Sequence, residues 1–369
     1  ANLEMLPYAC LGVVFAGLLY LVLALCIKLI GVSKVMKLFP PVVTGPIIIA
    51  IGLCLAPSAL NNCVTCWPLA IIALAIVIFF NIWGKGMTKI IPILLGVVGA
   101  YLIALIFGNG FGVSWITPID TDSIAKAAWI GFPIDWSQTI FCGVDYADTA
   151  KITTALTTMI PIAIATMMEH IGDICAIGAT VGRDYINDPG LHRTLIGDGL
   201  ATAFAGMVGG PANTTYGENT GVLELSRVHD PRVIRIAAVF AVILSFIPKM
   251  AEIIGSMPSA IIGGVSFMLY GMISAIGVRN VVENHVDFTK SRNLIIAAVI
   301  LVSGLGFSNG LTFTIAGTSI TLTGLAIAAL AGIILNAILP GKDYHFGDDP
   351  KADANRGLDM NPIQEEDIQ

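Results

Sequence analysis

Apolar stretches lie at about 8 to 30, 41 to 56, 68 to 83, 90 to 108, 154 to 177, 195 to 210, 233 to 248, 258 to 277, 294 to 307 and 317 to 339, with a shorter one at about 217 to 226. About 20 apolar residues in a helix match the ~30 Å hydrocarbon layer of a bilayer, so these runs dictate an all-α polytopic membrane protein of about 11 membrane segments. Composition agrees. Hydrophobic residues make up 56% of the chain and charged ones only 12%, where a soluble domain carries about 25%. With 369 residues in all, no room remains for a large soluble domain.

The formal charge of −6 is concentrated at one end. Residues 341–369 hold eight Asp/Glu against three Lys/Arg, a net −5, which leaves the body near −1. No nucleic-acid-binding surface follows from that balance. The tail has no apolar period and reads as a disordered acidic segment. Assigning loops alternately to two sides puts Lys28, Lys34, Lys37, Lys85, Lys89, Arg183, Arg193, Arg227, Arg232, Arg235, Arg279, Lys290, Arg292 and Lys342 on one side. Only Lys126, Lys151 and Lys249 fall on the other. The positive-inside rule makes the first side cytoplasmic, so residue 1 starts outside and the C-terminus is cytoplasmic. Residues 109–151, with Trp115, Trp129 and Trp136, are too polar to span and read as an external connector with interfacial pieces.

Seven cysteines, at 10, 26, 54, 63, 66, 142 and 175, give no disulfide framework. Five of them sit in or beside apolar runs and behave as small hydrophobes. Cys63 and Cys66 have C-x-x-C spacing, but no second pair and no nearby His accompany them.

Residues 8–45 run as an apolar span, Lys28, a short piece, and Pro40 followed five residues later by Gly45. Residues 233–263 repeat the order with Lys249, AEIIGSM, and Pro258 followed by Gly263. The loop assignment makes the copies cross in opposite senses, the inverted repeat of many secondary transporters. Three further elements precede the second copy and nothing precedes residue 8, so about three membrane segments are expected ahead of this chain.

Ionisable groups within spans are expensive and mark function by default. Glu169, His170 and Asp173 lie inside the run 154–177, Asp198 in LIGDGLA, and Glu218 in NTTYGENTGVLELSR. Glu169 and Asp173 are four apart and share one helix face. In GGPANTTYGENTG, the glycines and Pro211 end one helix, NTTY is β-capable, and a half-helix begins near Gly217. Non-helical backbone at membrane depth lines a cavity or is buried in protein, and a half-helix aims its free N–H groups there. A binding site is therefore expected, with amide donors around Gly217 and acceptors at Glu218 and Glu169. Burial and mutual repulsion raise carboxyl pKa values, so this pair also has a physical basis for binding a proton. No second His or Cys cluster converges on Glu169, His170 and Asp173, so neither metal nor cofactor is expected.

The segments NTTYGENTGVLELSR, MEHIGD and DPGLHRTLIGDGLATAFAGMVGGPANTTYGEN resemble the uracil permeases of the nucleobase-ascorbate transporter (uracil/xanthine permease) family, over about residues 8–340. The family signature falls on Glu218, Asn219, Gly221, Ser226 and Arg227, with Ser226 replacing the usual Thr. The resemblance implies seven plus seven inverted segments with a short β-strand and half-helix at the substrate site. It implies a core domain from 1–30 and 152–249, its front part absent, and a gate domain from 40–108 and 252–340, through which a homodimer can form. Substrate contacts then fall on Glu169, Glu218, Tyr216 and Gly217, and proton coupling on Glu169, His170, Asp173 and Glu218. Asp173 stands where a uracil permease carries a His, which makes proton coupling less direct to carry over than uracil binding. The expected function is uracil import across the cytoplasmic membrane by proton symport, not catalysis. The runner-up is a xanthine or urate permease, whose kind carries Gln at the place of Glu218. An intramembrane aspartyl protease would need Gly two residues before Gly172 or Gly197, where the chain has His170 and Leu195.

Overall fold

The computed structural model of the chain describes residues 3–116, 118–216, 219, 223, 227–315 and 318–342. Its helices are α1 (Leu6–Ile30), α2 (Val32–Met36), α3 (Pro41–Cys63), α4 (Trp67–Trp83), α5 (Met87–Ile90), α6 (Pro92–Ala104), α7 (Thr121–Lys126) and α8 (Thr149–Val181). They continue as α9 (Leu191–Met207), α10 (Pro231–Ser245), α11 (Pro248–Gly255), α12 (Ser259–Glu283), α13 (Ser291–Gly306) and α14 (Gly324–Ile338), with strands β1 (Leu311–Ile315) and β2 (Thr318–Leu322) before α14. Five helices among the described residues are long and apolar enough to cross a membrane, and α10 with α11 make a sixth candidate, bent by 89° at the break. The expected element at 217–226 lies almost wholly outside the described residues.

Helix ends follow local chemistry. Gly31, at φ 96°, ends α1 and turns the chain into α2. Proline opens α4, α6, α10 and α11, where its missing N–H costs nothing. α8 looks too polar for 33 residues of one helix, yet Thr153, Thr154, Thr157 and Thr158 donate their hydroxyls to carbonyls four residues back. Each hydroxyl is thereby satisfied inside the helix, and the segment remains compatible with a bilayer.

The chain divides into two compact units. One comprises Ala1–Cys54, Asp135–Thr220 and Ile273–Gln369. There α1 packs on α8 and α9, and α13 packs on α14. The crossing of α1 and α9 has almost no side chains between the backbones. A Cβ on Gly17 would lie 2.5 Å from the carbonyl oxygen of Gly199, and one on Gly199 would lie 2.6 Å from Cβ of Tyr20. Small residues at a crossing let helices in lipid approach closely, where van der Waals packing replaces the hydrophobic effect.

The other unit comprises Leu55–Ile134 and Gly221–Met272, with α4 packed on α6 and a core including Leu69, Ala73, Val77, Ala100 and Ile261. Cys63 and Cys66 are buried in that core, the place of small hydrophobes. The connector is strapped to the elbow between α10 and α11. Gly131 N donates to Phe246 O at 3.0 Å, Lys249 N to Ala128 O at 3.2 Å, and Lys249 Nζ to Ala125 O at 3.2 Å while lying 4.9 Å from the Trp129 ring centroid.

The repeat read from the sequence reappears in contacts. Within the first unit, Cβ on Gly45 would meet Val281, Gly277 and Asn280; within the second, Cβ on Gly263 would meet Cys63, Ala59 and Asn62. A shift of 218 residues carries 45 to 263 and carries 59, 62 and 63 to 277, 280 and 281. Each copy also has a helix, a short helix and a long proline-led helix in that order: α1, α2, α3 and α10, α11, α12.

One expected span is corrected. The run 317–339 is not a single helix: β2 pairs antiparallel with β1, Leu311 opposite Leu322, and α14 starts only at Gly324. Apolar and polar residues alternate in LTFTI and again in ITL, both strands are rich in β-branched residues, and Gly310 precedes them at φ 73°, a pattern that favours the hairpin over a helix.

Candidate functional site

The long helix α8 carries Glu169, His170 and Asp173 into the first unit, where all three are buried. Glu169 and Asp173 lie one turn apart, as their spacing predicted. A buried ionisable group must be paired, hydrogen-bonded or neutral, so its partners define what it can do.

Around His170 three other segments converge. Its Nδ1 is 2.7 Å from Thr215 Oγ1 and its Nε2 is 3.0 Å from Thr194 Oγ1. Asp198 Oδ2 lies 3.1 Å from Nδ1, near enough for an ion pair but out of line for a hydrogen bond, and accepts none among the described residues. From α1, Tyr20 stands edge-on with its ring centroid 6.4 Å from that of the imidazole, and its hydroxyl donates to Thr166 Oγ1 at 2.8 Å. The glycine crossing of α1 and α9 is what brings Tyr20 this close, because Gly199 lies directly under its Cβ.

Beyond α9 the chain leaves the helix at Gly209, φ 87°, and residues 211–216 run as irregular backbone. NTTY, expected as a short strand, forms no ladder here because no described residue pairs with it. The segment is nevertheless tied to the helices. Thr202 Oγ1 donates to Asn213 O at 3.2 Å, Thr214 Oγ1 to Glu169 Oε2 at 3.4 Å, and Thr215 reaches His170. Tyr216 is two-thirds exposed, and its carbonyl accepts the amide of Asn219 at 3.2 Å. Gly217 and Glu218, expected as amide donor and second carboxylate, lie outside the described residues.

The structure therefore brings Glu169 and His170 together with Thr214 and Thr215 and places Asp173 a turn further along the same buried helix. It adds Thr194 and Tyr20, which the sequence reading did not single out, and gives Asp198, flagged there only as a carboxylate within a span, a neighbour in His170. A lone carboxylate in the apolar stretch of α9 was the available signal for Asp198. For Tyr20 and Thr194 no signal existed, since a tyrosine or threonine in a span is unremarkable. Among the described residues no group of His, Cys, Asp and Glu could hold a metal ion.

This arrangement is a buried cluster of carboxylates, hydroxyls and one imidazole inside a unit of apolar helices. It can take up protons and can accept hydrogen bonds from a small polar molecule. A model described as Permease family, Xan_ur_permease, matches residues 2–313. The chain is 40% identical over 344 residues to the uracil permease of Bacillus caldolyticus, covering 90% of this chain and 75% of that protein. It is likewise 40% identical over 345 residues to the uracil permease of Bacillus subtilis (strain 168), with the same coverages. To the putative pyrimidine permease RutG of Escherichia coli (strain K12) it is 35% identical over 335 residues, covering 90% and 71%. This chain is a multi-pass membrane protein and belongs to that permease family.

Proposed function

We propose that the protein imports uracil across the cytoplasmic membrane by proton symport. The observation that carries the reading is the convergence of Glu169, His170 and Asp198 beside irregular backbone in a membrane-embedded bundle. Relatives named uracil permease, at 40% identity, supply the substrate class.

Uracil presents two N–H donors and two carbonyl acceptors on a flat ring. Glu169 accepts from one N–H, Glu218 accepts from the other or donates when protonated, the Gly217 amide donates to a carbonyl, and Tyr216 flanks the ring. Protons exchange through Glu169, His170, Asp173 and Glu218. In this reading 1–30 and 152–249 are the substrate-carrying core and 40–108 and 252–340 the gate, with a homodimer through the gate and a cytoplasmic C-terminus.

Radiolabelled uracil uptake into proteoliposomes with an imposed pH gradient tests the reading. Saturable accumulation that collapses when the gradient is dissipated is expected. Glu218→Gln, which keeps hydrogen bonding but removes the titratable proton, should weaken uracil and let xanthine compete. Accumulation indifferent to the gradient would defeat symport, and uptake of xanthine alone would defeat the substrate.

A further inference from the structure

The hydroxyls around His170 point to one position for its ring proton. Thr194 Oγ1 lies 2.9 Å from Leu191 O, and when its one proton goes to that carbonyl, the 3.0 Å contact with Nε2 takes the proton of the ring. In a neutral imidazole Nδ1 is then an acceptor, and the 2.7 Å contact with Thr215 is made by the threonine donating. Asp198 Oδ2 is left 3.1 Å from an unprotonated nitrogen, buried, with no donor among the described residues. That state places an uncompensated negative charge inside a membrane bundle, where charge is costly.

One added proton removes the defect. On Nδ1 it makes an imidazolium that donates to Thr215 and pairs with the Asp198 carboxylate; on Oδ2 it makes a neutral acid. Either way the net charge of the pair goes from −1 to 0. We propose that His170 and Asp198 jointly hold one exchangeable proton, that Thr194 is a positioning residue fixing the ring as its Nε2–H tautomer, and that this proton is the one coupled to substrate binding. The proposal rests on the symport reading above. A proton enters from the side of higher proton activity, resides on the pair while substrate is bound, and leaves to the other side as the pair returns to −1. The titratable groups around the imidazole are Glu169 and Asp173 on α8, Asp198 on α9 and Tyr20 on α1, with Tyr216 in the segment that carries Thr215. Among the described residues Asp198 forms its ion pair with His170 alone.

The test is uracil binding by calorimetry across pH in nanodiscs. Affinity should fall about tenfold per pH unit on the alkaline limb, the slope for one linked proton. Asp198→Asn and His170→Gln should each flatten that slope, and Thr194→Val should displace the limb along the pH axis. A slope retained in Asp198→Asn overturns the proposal. A second readout needs no substrate and no altered site: 15N resonances of His170 in the unsubstituted protein, assigned by their loss in His170→Gln. A neutral ring protonated on Nε2 is expected at high pH, and a neutral Nδ1–H form overturns the proposal even if Asp198→Asn fails to fold. Absence of uracil binding at every pH, with the Nε2–H form and its titration intact, would instead sink the assigned substrate.

Discussion

His170 spends both ring nitrogens on hydroxyls from other segments, which makes it a structural hub. Replacing it with phenylalanine strands Thr215 and leaves Asp198 without the imidazole 3.1 Å from it, and buried polar groups without partners cost about 1 to 3 kcal/mol each. The variant should therefore melt earlier in detergent as well as lose pH-dependent binding. Glu169→Ala removes the acceptor facing Thr214, and uracil affinity measured by calorimetry should fall by about 5- to 150-fold, the equivalent of about 1 to 3 kcal/mol. On the connector, Asp120 caps α7, and hydrogen bonds from the Ser123 hydroxyl and amide hold its carboxyl below the usual carboxylate range. A lowered folded-state pKa gives stability that is present above the unfolded value and lost as pH falls through the folded one. Amide protection in Thr121–Lys126, taken relative to the intrinsic exchange rate at each pH, should accordingly fall on acidification below the ordinary Asp range, and Asp120→Ala should show low protection at every pH.

At the scale of elements, α9 offers a sharp contrast between two glycines. Nothing lies within 4 Å of a Cβ on Gly197, whereas one on Gly199 would strike the Gly17 carbonyl oxygen at 2.7 Å. Gly197→Ala should leave thermal stability unchanged or raise it by up to about 1 kcal/mol through helix propensity. Gly199→Ala should lower it by about 1 to 3 kcal/mol, because the tight crossing with α1 must open. Hydropathy located the helices well, since length and apolarity alone decide what can span; α1, α4 and α8 appear where the runs lie. It failed at β1 and β2, because a window that counts apolar residues cannot see that Leu311, Phe313 and Ile315, and Ile320 and Leu322, alternate with polar residues at period two. The candidate site was half legible for a similar reason. Spacing on α8 put Glu169 and Asp173 on one face, but no periodicity tells which helix comes to meet that face, so the pairing of Asp198 with His170 and the support from Tyr20 were out of reach.

At the scale of the whole molecule, the repeated order of helices and the contacts related by a 218-residue shift are one fact seen twice. Gly45 sits against Gly277 in one copy's setting, and Gly263 sits against Ala59 in the other's. Neither copy therefore owns its own crossing: the glycine that opens one long helix is fitted to the far end of the long helix from the other copy. A methyl group gained at 45 must be answered at 281, whose side chain it would meet first, whereas one gained at 263 would meet the backbone of Ala59, Asn62 and Cys63, which no side-chain change can withdraw. In a collection of relatives position 45 should therefore trade bulk with 281, while position 263 should keep its glycine.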